Sequence, residues 1–320
     1  MFSAIKKLFS KAAEQPRAPA ELVDFLVEIA NPNIKLARKY QERLSPYVYW
    51  AQSHAAQFTT QWPEPIALNT ENWRHQRILQ LLFATPARMG ELIGQNPGLH
   101  QWFALNPFVD ECFVVFTADS RQKMRYGMVE EGGQIRQDVP QQVLQFAGYR
   151  VHTPAGTCAE LIQAGPRRIL EIVAAQTNIR INALDEEKAR LDSELLNART
   201  MLRMAKPHTP EYQHQHARIQ DLTQSLQECN VARGPDGLCE LFITELAATP
   251  DILTLEKHMM TVDSMGIIAS GLGDEMPIEI SELVLQSQQN VRKLMLILQV
   301  PRSLLQAPST PATFNGEARF

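Results

Sequence analysis

The chain has 320 residues, 31 Lys+Arg against 35 Asp+Glu for a formal net charge of -4, and is 44% hydrophobic and 21% charged. That balance lies near the globular average, which excludes wholesale disorder, collagen and a continuous coiled-coil rod and leaves room for roughly two domains. A slightly acidic chain also lacks the basic excess that counterion release along a phosphate backbone needs, so no nucleic acid is expected as a partner.

At roughly 100° per residue, the first fifteen positions set Phe2, Ile5, Leu8, Phe9 and Ala12 on one helix face and Lys6, Lys7 and Lys11 on the other. This predicts a basic amphipathic helix over 1–15, in which Phe2, Ile5, Lys6, Lys7, Phe9 and Lys11 would meet an anionic membrane surface. Lys6 and Lys7 break the unbroken apolar stretch that a secretory signal requires. Pro16 and Pro19 end the helix in a linker over 16–20. Cys112, Cys158, Cys229 and Cys239 are few and widely spaced in a chain too large to need covalent staples, which reads as a reduced, intracellular protein. The apolar block Leu294 to Leu298 is far shorter than the roughly 20 residues of a spanning helix. The expected location is the cytoplasm, with the N-terminal helix as a means of peripheral attachment to the inner face of a membrane.

A helical region is predicted over 21–110. Leu22, Phe25, Leu26 and Ile29 recur at helix spacing, and Thr85 before Pro86 has the form of an N-cap followed by proline at the first helical position. Tyr47, Tyr49, Trp50, Trp62 and Trp73 are irregularly spaced and read as core rather than as a ligand cradle. At Glu111 the period changes. ECFVVFTA is rich in β-branched and aromatic residues, and Met124, Tyr126 and Met128 then alternate with Lys123, Arg125 and Gly127, as in a strand with one wet face. Glu131, Gly132 and Gly133 supply a turn into an antiparallel meander through IRQDV and QVLQFAGYRV; the glycine doublet lacks the spacing of a phosphate loop.

Over 166–233 an antiparallel coiled-coil hairpin is predicted as an insertion. Ile181, Leu184, Leu191, Leu195, Ala198, Leu202 and Ala205 occupy a and d positions with Lys188 as the one polar intrusion. Pro207, Thr209 and Pro210 reverse the chain, after which Tyr212, Ile219, Leu222, Leu226 and Cys229 continue the frame until Gly234 to Gly237 stop it. LCELFITELAA and ILTLEKHMMTV then read as strands, separated by a turn at Thr249 to Asp251. A turn at Gly271 to Asp274 follows, then a helix from Ser281 presenting Leu283, Val284, Val291, Leu294, Met295 and Leu298 on one face. The fold class is therefore α+β: a helical N-terminal region, an antiparallel sheet domain over 111–165 and 238–300 interrupted by the hairpin, a C-terminal helix, and a disordered tail over 301–320.

Chemistry is sparsely signalled. His208, His214, His216, Cys229 and Cys239 lack the paired spacing of a zinc site, and no metal or cofactor is expected. His152, Cys158 and Glu160 could form a thiol nucleophile with its base only if folding brought them together and depressed the thiol pKa. The acid clusters Glu130–Glu131 and Asp185–Glu187, the pair Arg167–Arg168 and the stripe Lys35, Arg38, Lys39 and Arg43 read as solvated charge. The expected function is that of a non-enzymatic adaptor or assembly protein. It would bind a protein partner or a second copy through Ile181, Leu184, Lys188, Leu191, Leu195, Leu202, Tyr212, Ile219, Leu222 and Leu226. The alternative is an enzyme or small-ligand-binding protein with a pocket between sheet and helical layer.

Overall fold

The computed structural model describes residues 16–131, 134–152, 154–268, 275–285 and 291–305. The helix expected over 1–15, the turn residues Gly132–Gly133 and Gly271–Asp274, and the tail from 306 lie outside the described residues. Helices follow in the order α1 Ala20–Ala30, α2 Tyr40–Thr59, α3 Thr70–His75, α4 Arg77–Leu82, α5 Pro86–Gly94, α6 Pro97–Leu105, α7 Cys158–Met204, α8 Pro210–Arg233, α9 Pro235–Ala247 and α10 Thr249–Ile252. The strands are β1 Pro65–Ala67, β2 Glu111–Glu131, β3 Gln134–Val151, β4 Leu253–Val262, β5 Met276–Leu285 and β6 Val291–Pro301. Mixed helix and antiparallel sheet make this an α+β protein, as the sequence predicts. By compactness the chain divides into two units, Met1–Gln57 with Gly165–Ile252, and Phe58–Ala164 with Leu253–Phe320.

The first unit is helical. Val23, Leu26, Val27 and Ala30 bury one face of α1, and they share a core with Leu44 and Val48 of α2, Leu170, Val173 and Ile181 of α7, and Cys239, Phe242 and Leu246 of α9. α9 contains the LCELFITELAA segment and is a helix, not the predicted strand. Pro235 stands at its first position, and Leu238, Cys239, Phe242 and Leu246 recur at helical spacing; that period outweighs the β-branched content. Further along, Leu191, Leu195 and Ala198 of α7 meet Leu222, Leu226 and Cys229 of α8 in a separate small cluster. The reversal between the two helices uses the predicted cap: the Thr209 side chain accepts from the Tyr212 N–H at 3.3 Å, with Pro210 next in line.

The second unit holds a six-stranded sheet in the order β3-β2-β6-β5-β4, with β1 added parallel to β6. The region predicted as a C-terminal helix from Ser281 is β5 and β6. β6 is the central strand, flanked by β2 on one side and by β5 and then β1 on the other, and Leu294 to Leu298 are all buried. A strand buried on both faces reads as a continuous apolar run without alternation, the pattern that a buried helix also shows. The chain beyond Pro301 is held rather than released: Arg302 donates to the Asn106 and Val109 carbonyls at 2.6 and 2.8 Å and stacks over Phe103, so the tail predicted from 301 is ordered through Leu305.

The two outer strands are linked by a short segment. Ile268 bridges Val262 at the end of β4, and Ile267 bridges Val143 of β3; the Leu144 N–H donates to the Gly266 carbonyl at 2.8 Å. Gly266 has φ +80°, and a Cβ there would lie 2.8 Å from the Leu144 carbonyl oxygen. Both the left-handed backbone and that backbone oxygen reject a side chain, so Gly266→Ala should cost about 1–3 kcal/mol and open the β3–β4 link. Amide exchange at Leu144 and Ile268 is the readout; unchanged protection there would refute the closure.

Candidate functional site

The enzyme-like residues are engaged elsewhere. The His152 backbone N–H donates to the Val115 carbonyl at 2.8 Å and its ring Nε2 lies 2.9 Å from the Thr117 hydroxyl, while the Glu160 carboxylate accepts from the Gly156 N–H at 3.0 Å. Burial pushes the Cys158 thiol above its ordinary value, the reverse of what a thiolate nucleophile requires. Cys112 and Cys239 are pushed by burial to about 12 and about 11, and both sit in hydrophobic cores. Cys229 belongs to the seam between α7 and α8. Among the described residues no three His, Cys, Asp or Glu side chains gather where they could hold a metal ion. No helix among them is long and apolar enough to cross a membrane.

The basic stripe does not exist as such. Lys35 lies in a 3₁₀ turn, Lys39 adopts φ 54°, and α2 begins only at Tyr40, so the four positions do not share one helix. Lys35 pairs with Glu28, Lys39 with Glu42, and Arg43 reaches Asp236 and Glu240 of α9, so three of the four positive charges are met within the unit. Asp185 and Glu187 are likewise met by Arg233 and Arg190, and Arg190 holds Glu187 below the usual carboxylate range. The aromatic residues divide between units: Tyr47 and Trp50 pack on the helical core, and Trp73 packs under the sheet.

One buried charge does stand out in the first unit. Glu245 of α9 is 1% exposed and is met by Arg180 of α7, whose own side chain is about half exposed. Burial raises the Glu245 carboxyl pKa, with Arg180 pulling the other way. Two residues earlier on α7, the Asn178 amide donates to the Ala30 carbonyl at 2.8 Å. That bond and the ion pair tie α7 to α1 and α9, which makes this a structural joint rather than a catalytic acid.

Half of the residues predicted to bind a partner are buried inside the chain. Leu191, Leu195, Leu222 and Leu226 are buried against one another with Ile219 partly buried beside them, and Ile181 lies in the core of the first unit. Leu184, Lys188, Leu202 and Tyr212 are only partly covered, and Lys188 pairs with Asp192 at 2.5 Å. A and d residues seal an intrachain seam first, so a partner can meet only the outward faces. Those faces carry exposed apolar residues that heptad reasoning passes over: Leu196 and Met204 point away from the seam on α7, Met201 flanks them, and Val231 is exposed on α8. A shallow concavity along α8 is lined by Ile219, Gln220, Thr223, Gln224, Gln227 and Glu228.

A second exposed element belongs to the sheet unit. β2 leaves β6 at Asp119 and continues with β3 as a two-stranded ribbon. The sequence predicts one wet face there; instead both are wet, since Met124, Tyr126 and Met128 are exposed together with Arg121, Lys123 and Arg125. Comparison with known protein families, with curated proteins and with solved structures finds no match to this chain.

Proposed function

We propose that this is a non-enzymatic assembly protein that binds a protein partner through the outward face of the α7–α8 hairpin. The observation that carries this reading is the combination of a hairpin that buries its own seam with exposed Leu196, Met201 and Met204 on α7. Packing the distal hairpin accounts for its a and d residues and leaves these outward apolar side chains without a structural task.

The direct test is affinity purification of the intact chain against a Leu196→Glu, Met204→Glu variant whose seam is untouched. Loss of a stoichiometric protein partner at unchanged thermal stability is the expected result. A partner retained at full occupancy by the variant would overturn the assignment to this face. The segment Met1 to Gln15 is proposed as a basic amphipathic helix for an anionic membrane surface. The chain is expected to sediment with phosphatidylserine vesicles and to stay in the supernatant once that segment is deleted; sedimentation unaffected by the deletion would refute the role.

A further inference from the structure

The geometry points to a homodimer built by antiparallel pairing of the free edge of β2 with the same edge of a second copy. Past Asp119, where pairing with β6 ends, no strand among the described residues runs along the outer side of Ser120–Glu131. A row of unpaired N–H and C=O groups of that length is a template for another strand unless it is blunted.

The ribbon's two edges are treated differently. Between Thr117 and Asp119, and again between Gly127 and Val129, the register shifts by placing the extra residue on β3, not on β2. The positive φ values at Gly148 and Asp138, 61° and 58°, fall at those two places. β3 also carries Pro140, which has no N–H to offer, and is covered at Gln142 to Leu144 by the Gly266–Ile268 segment. Bulges, proline and a covering segment each protect an edge, and all three sit on β3, whereas β2 carries only the charges of Arg121, Lys123 and Arg125 against pairing. β2 has neither bulge nor proline from Ser120 to Glu131 and presents a regular edge.

The residues along that edge are complementary to themselves. A two-fold axis through Tyr126 sets Tyr126 opposite Tyr126 and Met124 opposite Met128. Arg125 then faces Gly127, so no arginine meets its own copy. Side chains that are 66%, 78% and 64% exposed in the single chain, those of Met124, Tyr126 and Met128, become one apolar row across the axis. Moving the axis to Arg125 sets that arginine against its own copy, and moving it to Gly127 takes Met124 out of the apolar row. Only the Tyr126 register keeps Met124, Tyr126 and Met128 in one row with no arginine against its own copy.

The test is a pair of charge substitutions in the full chain, followed by sedimentation equilibrium over roughly 1–200 µM. Met124→Lys sets a lysine against Met128 at each crossing and Met128→Glu sets a glutamate against Met124, so each variant alone should raise the dimer dissociation constant by roughly tenfold. An equimolar mixture of the two variants pairs lysine with glutamate at one crossing and methionine with methionine at the other, and should form a heterodimer roughly as tight as the native dimer. That restoration also shows that both variants are folded. Independently, Tyr126→Cys should oxidise to a covalent dimer while Gln122→Cys should not, because only position 126 faces itself. A chain monomeric throughout this range, a dimer indifferent to both substitutions, or a mixture no tighter than its components would each overturn the proposal.

Discussion

Phe116→Ala is expected to cost about 3–5 kcal/mol, the range for deleting a fully buried aromatic side chain and leaving its cavity. Phe116 of β2 is completely buried, with ring centroids 5.9 Å from Phe83 and 5.8 Å from Tyr149. Its neighbours have little freedom to close the gap. The Trp73 indole N–H donates to the Phe83 carbonyl at 2.7 Å, and the Tyr149 hydroxyl shares its one proton between the Leu82 and Phe146 carbonyls at 3.2 and 3.1 Å. Collapse would have to break these bonds. Because Phe116 lies in the sheet unit and the chain divides into two, denaturant unfolding should show the loss in one transition, with amide protection falling in β2 and β6 while α9 keeps its own. An equal loss of protection in α9 would mean that the chain unfolds as one cooperative body.

The second large effect concerns Glu245 and depends on pH. Removing one partner of a fully buried ion pair costs about 3–5 kcal/mol, but Arg180 is half exposed, so about 2–3 kcal/mol is expected for Arg180→Ala at neutral pH. The folded carboxyl titrates above its ordinary value of 4.5 because burial disfavours the charged form. The native state therefore holds this proton more tightly than the unfolded chain does. Its contribution to stability is fully present below the unfolded value and is lost as pH rises through the folded one. Arg180→Ala removes the cation that limits this shift, so the decline becomes steeper and extends further upward. The variant should match the native protein at roughly pH 4, where Glu245 is protonated in both states, and fall behind it progressively toward neutrality. Glu245→Gln should flatten the decline in that window. Urea unfolding of the three proteins across the range is the measurement, and a deficit in Arg180→Ala that does not vary with pH would dismiss the linkage.

Features carried by local chemistry and by one-sided periodicity were readable from the residues alone. The seam of Leu191, Leu195, Leu222 and Leu226 was legible because a helix that buries one stripe repeats its apolar residues every three or four positions. The Thr85 and Thr209 caps were legible because an orphan N–H, a hydroxyl and a following proline meet within one turn. β2 and β4 announced themselves by alternation and β-branched content. Packing made β6 a strand, since burial by β2 on one side and β5 and β1 on the other removes the alternation that would identify it. It also decided that ELFITEL is helical, where packing of Leu238, Phe242 and Leu246 into one core overrides propensity. The candidate surfaces depend on the same distinction. A heptad specifies which residues are apolar, but a neighbouring helix must be in place before it is known that Leu195 is consumed and Leu196 is left outside. The Met124, Tyr126 and Met128 row is likewise a buried face by its pattern and an exposed one by its position, because alternation records only that two faces differ, whereas the partner element determines which of them meets water.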